Sequence, residues 1–117
     1  MCDVLVLDDE PLIRELLVEV LVEDGFAVRE AATVRDAQQV LRDDAVRLLV
    51  ADKNLHEGGD GHVLAREAMR LLPSLLVIYI GGRWEALRDL GLTPRERALP
   101  KPFTATKLAR LAHELIG

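Results

Sequence analysis

Apolar and polar residues fall along this chain in blocks whose period changes from one block to the next. Val4-Leu5-Val6-Leu7 is a short apolar run that stops at Asp8-Asp9-Glu10. Leu48-Leu49-Val50-Ala51 is a second and stops at Asp52, and Leu75 to Ile80 is the longest. Such runs, rich in Val, Ile and Leu and without alternation, predict strands buried on both faces, as in a parallel sheet. Between them the period becomes helical. Leu12, Ile13, Leu16, Leu17, Val20 and Leu21 share one face, while Arg14, Glu15, Glu19 and Glu23 lie elsewhere. Pro11 suits the first turn of that helix and Gly25 its end.

The same reading covers the rest. Phe26 to Glu30 predicts a second strand, and Thr33 with Asp36 forms a variant capping box ahead of Ala37, Val40 and Leu41. The stretch 52–61, with its glycines, predicts a loop, and the helix after it is closed by Pro73. Trp84 to Leu90 is long enough for about two helical turns. Gly91 and Pro94 interrupt regular structure, Ala98-Leu99 predicts a short fifth strand, and Thr104 caps a last helix with Leu108, Leu111, Ala112, Leu115 and Ile116 on its apolar face. Strands alternating with helices imply right-handed crossovers. The expected fold is α/β: a doubly wound, five-stranded parallel sheet in the common order 2-1-3-4-5.

Composition narrows the class. With 117 residues the chain is expected to form one domain, 1–117, without an output domain. A net charge of −5 argues against a nucleic-acid or anionic-membrane surface. The single cysteine, Cys2, excludes an intrachain disulfide and fits a reducing cytoplasm. No apolar run approaches the ~20 residues that span a bilayer, and no basic region precedes the first apolar run as in a signal peptide. The expected location is cytoplasmic.

Chemistry enters at the strand ends. Asp52 alone is ambiguous, because Asp-Lys-Asn is also good turn chemistry. The Asp8-Asp9-Glu10 run likewise complements a helix dipole. Taken together, however, the first strand ends in Asp8-Asp9, the third in Asp52, the fourth in Gly81-Gly82 and the fifth at Lys101. In a parallel sheet these ends share one edge, and order 2-1-3-4-5 makes the first and third strands neighbours. Three clustered carboxylates repel one another, and a divalent cation relieves that repulsion. Oxygen ligands without His or Cys favour Mg²⁺ or Mn²⁺, and Lys101 supplies a point charge for phosphate. Such a set suits phosphoryl transfer, with Asp52 the best candidate nucleophile.

Val-Leu-Val-Leu-Asp-Asp-Glu-Pro at 4–11, Asp52 after its apolar run, Gly-Gly-Asp-Gly at 58–61 and Lys101-Pro102-Phe103 together resemble the receiver domain of two-component response regulators. The resemblance spans essentially the whole chain. It implies a flavodoxin-like fold that takes a phosphoryl group from a phosphohistidine of a sensor histidine kinase or histidine phosphotransfer protein. It further implies that Asp52 is the phospho-acceptor, that Asp8, Asp9, Asp52 and the backbone carbonyl of Asn54 hold Mg²⁺, and that Lys101 pairs with the phosphoryl group. The Lys101–Pro102 bond is often cis in this family.

Two positions depart from the family pattern. Gly81, with Gly82 behind it, stands where the family carries Ser or Thr, and Ala98 where it carries Tyr or Phe. The expected function is therefore phosphoryl acceptance with an unusual readout through protein contacts, as relay, sink or partner switch, and a homodimer is possible. The chain would not be an enzyme beyond catalysing its own phosphorylation and dephosphorylation. Alternatives are a degenerate receiver that binds partners independently of phosphate, and a small Mg²⁺-dependent phosphatase. His56 and His62 read as solvated loop residues, and His113 as a cation near a helix end. Cys2 reads as a small buried residue, and Arg83, Arg88, Arg95 and Arg97 as a solvated basic face.

Overall fold

A computed structural model describes residues 1–53, 55, 59–81, 84–100 and 102–117, the side chains of Trp84 and Glu85 excepted. The apolar runs form the strands β1 (Cys2–Leu7), β2 (Val28–Ala31), β3 (Val46–Asp52), β4 (Leu76–Ile80) and β5 (Glu96–Leu99). All pairings are parallel and the order is β2-β1-β3-β4-β5, as the doubly wound reading expects. The helices are α1 (Pro11–Glu23), α2 (Val34–Asp43), α3 (Gly61–Leu71), α4 (Trp84–Arg88) and α5 (Ala105–Ile116).

Alternation along each central strand divides the core into two layers, since successive side chains point to opposite faces. Leu5, Leu7, Leu49, Ala51, Val77 and Tyr79 pack on one face with α2, α3 and Leu87 of α4. Val4, Val6, Leu48, Val50, Ile78 and Ile80 pack on the other with α1 and α5. A strand with both faces covered carries no polar face, which is why these runs are continuous rather than alternating.

Several boundaries differ from the pattern-based expectation. Strand β2 begins at Val28 rather than Phe26, because Phe26 finishes the preceding helix. Its N–H donates to Leu21 O at 3.1 Å and Gly25 N–H to Val22 O at 3.0 Å, the two bonds of a Schellman motif. Strand β5 begins at Glu96 rather than Ala98, its register pairing Val77 with Glu96. Helix α3 starts at Gly61, where Asp60 Oδ1 accepts from His62 N–H at 2.7 Å. The Thr33 and Thr104 caps form as expected, accepting from Asp36 N–H and Lys107 N–H at 3.1 Å each. Among the described residues no helix is long and apolar enough to cross a membrane.

Candidate phosphoryl-acceptor site

Register alone brings the carboxylates together. Leu7 of β1 pairs with Ala51 of β3, so the next residues, Asp8 and Asp52, leave adjacent strands at the same level. Asp52 is the last residue of β3, in register with Ile80, and Lys53 N–H extends the ladder by donating to Ile80 O at 2.9 Å. It therefore belongs to the sheet, not to a turn. Asp8, Asp9 and Asp52 each offer a carboxylate oxygen, and these atoms all lie within 4.8 Å of one another. Asp8 is 1% exposed and Asp52 4%, while Asp9 is half-buried.

Burying that much like charge has a measurable consequence. Burial itself is the largest influence on Asp8 and raises its pKa; the Glu10 N–H at 2.9 Å opposes it, and Asp52, Glu10 and Asp9 add repulsion. The result is a pKa of about 6 against the ordinary 3.8. A divalent cation favours the charged form and reverses this effect. The donor set fits a hard cation: it is all oxygen, from three carboxylates whose atoms come within 4.8 Å of one another. Lys101, Asn54 and Gly82 lie outside the described residues, as does the Lys101–Pro102 bond.

Helix α3 is built directly against Asp52. A Cβ on Gly61 would come within 2.3 Å of the Asp52 carbonyl oxygen and 3.6 Å of Ala51 Cβ. Glycine is thus required here for space. We expect Gly61→Ala to cost about 1–3 kcal/mol in urea unfolding, the usual penalty of overpacking, and to slow phosphorylation by moving Asp52. A variant with unchanged unfolding midpoint and rate would contradict this.

The two atypical positions have structural explanations. Gly81 is buried with φ 83°, a left-handed conformation that Ser or Thr adopts only under strain. Ala98 pairs in register with Tyr79 of β4, so the aromatic ring in this region comes from the neighbouring strand. Tyr79 is fully buried, and its hydroxyl donates to Glu96 Oε2. Glu96 is 2% exposed and also accepts from Arg66 Nε at 2.8 Å, Thr93 N–H at 2.9 Å and Thr93 Oγ1 at 3.0 Å. Burial pushes the Glu96 pKa up, but the donors from Arg66, Tyr79 and Thr93 outweigh it and bring the value down to about 2.

Sequence reasoning did not single out this cluster. Its one signal is Tyr79, the polar-tipped residue inside the longest apolar run. Two polar readings are also corrected. Arg95 does not lie on a solvated face: its guanidinium bonds Met69 O, Leu72 O and Leu75 O at 2.7–3.2 Å and ties the end of α3 to β4. His62 is not a solvated loop residue but lies in the first turn of α3, half-buried, its ring 5.3 Å from that of Tyr79 and edge-on. Burial, then Arg66, lower its pKa. The remaining two behave as expected. Cys2 is buried, and His113 Nε2 lies 3.1 Å from Asp24 Oδ2 at the end of α5. His56 and Arg83 lie outside the described residues.

A doubly wound sheet in this order, with a carboxylate trio at its carboxyl edge, defines a class of fold, the flavodoxin-like one. Comparison then identifies the family. The model of the response regulator receiver domain matches residues 4–113, and the chain belongs to that family. It is 36% identical over 120 residues to the transcriptional regulatory protein AruR of Pseudomonas aeruginosa, covering 97% of this chain and 48% of AruR. The receiver domain of NtrX from Brucella abortus superposes with a TM-score of 0.83 at 30% identity, covering 97% of this chain and 98% of that one. A response regulator receiver protein from Sinorhizobium medicae superposes with a TM-score of 0.86 at 27% identity, covering 97% and 93%. The chain spans 12% to 48% of the length of the curated relatives it matches, which include a sensor kinase and regulators.

Proposed function

We propose that this receiver domain accepts a phosphoryl group on Asp52 from a phosphohistidine of a kinase or phosphotransfer protein. The observation that carries the reading is the convergence of Asp8, Asp9 and Asp52 at one sheet edge. An Asp52 carboxylate oxygen forms the new bond to phosphorus as the phosphorus–nitrogen bond to the imidazole breaks. Asp8 and Asp9 would hold Mg²⁺, with the Asn54 carbonyl completing the protein ligands, and a bound ion supplies charge neutralisation for the phosphoryl oxygens. Lys101 would pair with the same oxygens. The chain acts as a stoichiometric acceptor rather than an enzyme with turnover.

A protein donor is favoured over a small one by the surface beside the site. Leu12 and Leu16, at the start of α1, are 82% and 52% exposed. Leu16 also lines an apolar groove with Ile13, Leu17, Pro102, Phe103 and Ala105. An apolar patch next to a charged reaction edge suits a partner that must seat itself before transfer.

Intact-mass measurement after incubation with acetyl phosphate tests the reading. One phosphoryl adduct that requires Mg²⁺ is expected. No adduct would favour the phosphate-independent binding module instead. A partner affinity that shifts strongly with a beryllofluoride mimic would place the readout downstream of Asp52.

A further inference from the structure

We infer that Arg14 is the positioning residue of the acidic pair, an inference that rests on the reading of Asp8 and Asp9 as cation ligands. The segment joining β1 to α1 is short. Asp8 N–H donates to Ala31 O at 3.1 Å, the last rung toward β2, and Asp8 Oδ1 accepts from Glu10 N–H at 2.9 Å. Neither bond orients the peptide between Asp8 and Asp9. Arg14 does: its Nη1 donates to the Asp8 carbonyl at 2.8 Å while its Nε donates to Glu30 Oε1 at 2.9 Å. Arg14 is itself set by its helical bond, Arg14 N–H to Glu10 O at 2.9 Å.

The guanidinium fork thus links three elements. Its root is in α1, one prong holds the acid segment and the other holds the edge strand β2. Its side chain is 17% exposed, although its partner Glu30 is half exposed. The carbonyl it grips belongs to the peptide that leads into Asp9, so the tilt of that plane aims the Asp9 carboxylate. Mg²⁺ demands near-octahedral oxygens at 2.0–2.1 Å, and a misaimed ligand is lost rather than stretched. Planar, two-pronged donation is what Arg offers and Lys does not.

Geometry and charge predict opposite signs here. Removing a cation near the site strengthens attraction for Mg²⁺, whereas releasing the Asp8 carbonyl weakens binding. Isothermal titration with Mg²⁺ on the full chain separates them. Arg14→Met is expected to bind Mg²⁺ roughly tenfold more weakly, the scale of supporting-residue effects on metal affinity. Its melting temperature in chelator should stay within a few degrees of wild type. Arg14→Lys should remain weak, and Glu30→Gln, which keeps an uncharged acceptor, should fall between. Unchanged or tighter binding by Arg14→Met overturns the inference, as does full rescue by Arg14→Lys. If Arg14→Met does not fold, Glu30→Ala decides: it leaves Arg14 in place and unties its anchor, and unchanged affinity there is equally fatal. A wild-type chain that binds no Mg²⁺ fails earlier, at the metal reading itself, and takes the inference with it.

Discussion

Asp52→Asn is expected to abolish phosphoryl uptake and, without divalent cations, to make the protein more stable. The loss should be complete, because an amide does not replace an attacking carboxylate and Asp8 and Asp9, as proposed cation ligands, are not placed to take its part. The gain follows from the repulsion among three carboxylates within 4.8 Å. At an effective dielectric of ~20 two full charges at that distance repel by about 3 kcal/mol. Partial protonation of Asp8 reduces this near neutrality, leaving an expected gain of about 1–2 kcal/mol.

The pH dependence carries the same signature. Asp8 has a pKa of about 6 in the folded protein against the ordinary 3.8, so between these values the folded state binds more protons than the unfolded one. Its contribution to stability therefore falls as pH rises from about 4 to about 6. In chelator, the wild-type melting temperature should carry this decline, and Asp52→Asn should lessen it while leaving the larger part that burial causes. Mg²⁺ should restore stability above that range by binding only the folded state. Melting curves from pH 4 to 8 with and without Mg²⁺ measure all three. A wild type unaffected by Mg²⁺, or an Asp52→Asn variant that still gains a phosphoryl group, would overturn the assignment.

Glu96→Ala is the variant expected to damage the fold most. Its carboxylate collects four donors from Tyr79, Arg66 and Thr93 inside the sheet. Truncation leaves the buried Tyr79 hydroxyl without that acceptor, while the exposed Thr93 can turn to water. The Arg66 side chain, 37% exposed, regains water, so orphaning the Tyr79 hydroxyl and losing the charge-assisted bonds costs about 2–4 kcal/mol, a large share of a domain's ~5–15 kcal/mol. The melting temperature should fall on the order of 10 °C or more. Tyr79→Phe removes only one donor together with its need, so about 1 kcal/mol is expected there. The depressed Glu96 pKa of about 2 has the opposite pH sign to Asp8. Its stabilisation is present above the ordinary 4.5 and is lost as pH falls toward about 2. Urea unfolding at neutral pH tests the substitution, and a loss below 1 kcal/mol would show that the cluster is replaceable.

The cluster also bears on signalling. Tyr79 occupies the space beside Ala98 and is held by Glu96, which in turn holds Thr93; Arg66 bonds the Leu90 and Gly91 carbonyls at 3.2 and 3.0 Å. An aromatic fixed in this way resists the inward swing that a bistable element needs. Readout near the acid segment and α1 is therefore more consistent with this chain than readout through β5.

The apolar runs and helical periods, by themselves, determined the five βα units. Burial on both faces leaves no other pattern for Val4–Leu7 or Leu48–Ala51, and two-sided strands joined by helices imply a doubly wound sheet, whose order 2-1-3-4-5 was the expectation that the structure meets. From that topology Asp8, Asp9 and Asp52 follow as neighbours, since strand ends in a parallel sheet share an edge. Asp52 as turn cap or strand end was open until the register with Ile80 placed it in β3. Only the tertiary structure decided that Gly61 is glycine for space, that Arg14 grips the Asp8 carbonyl, and that Arg95 ties α3 to β4. It alone brought Tyr79, Glu96 and Arg66 together across elements 17 and 30 residues apart. The physical reason is range. Strand and helix periods are local properties that any stretch of sequence displays, whereas the partner of a buried charge is set by packing between elements, which no local pattern records.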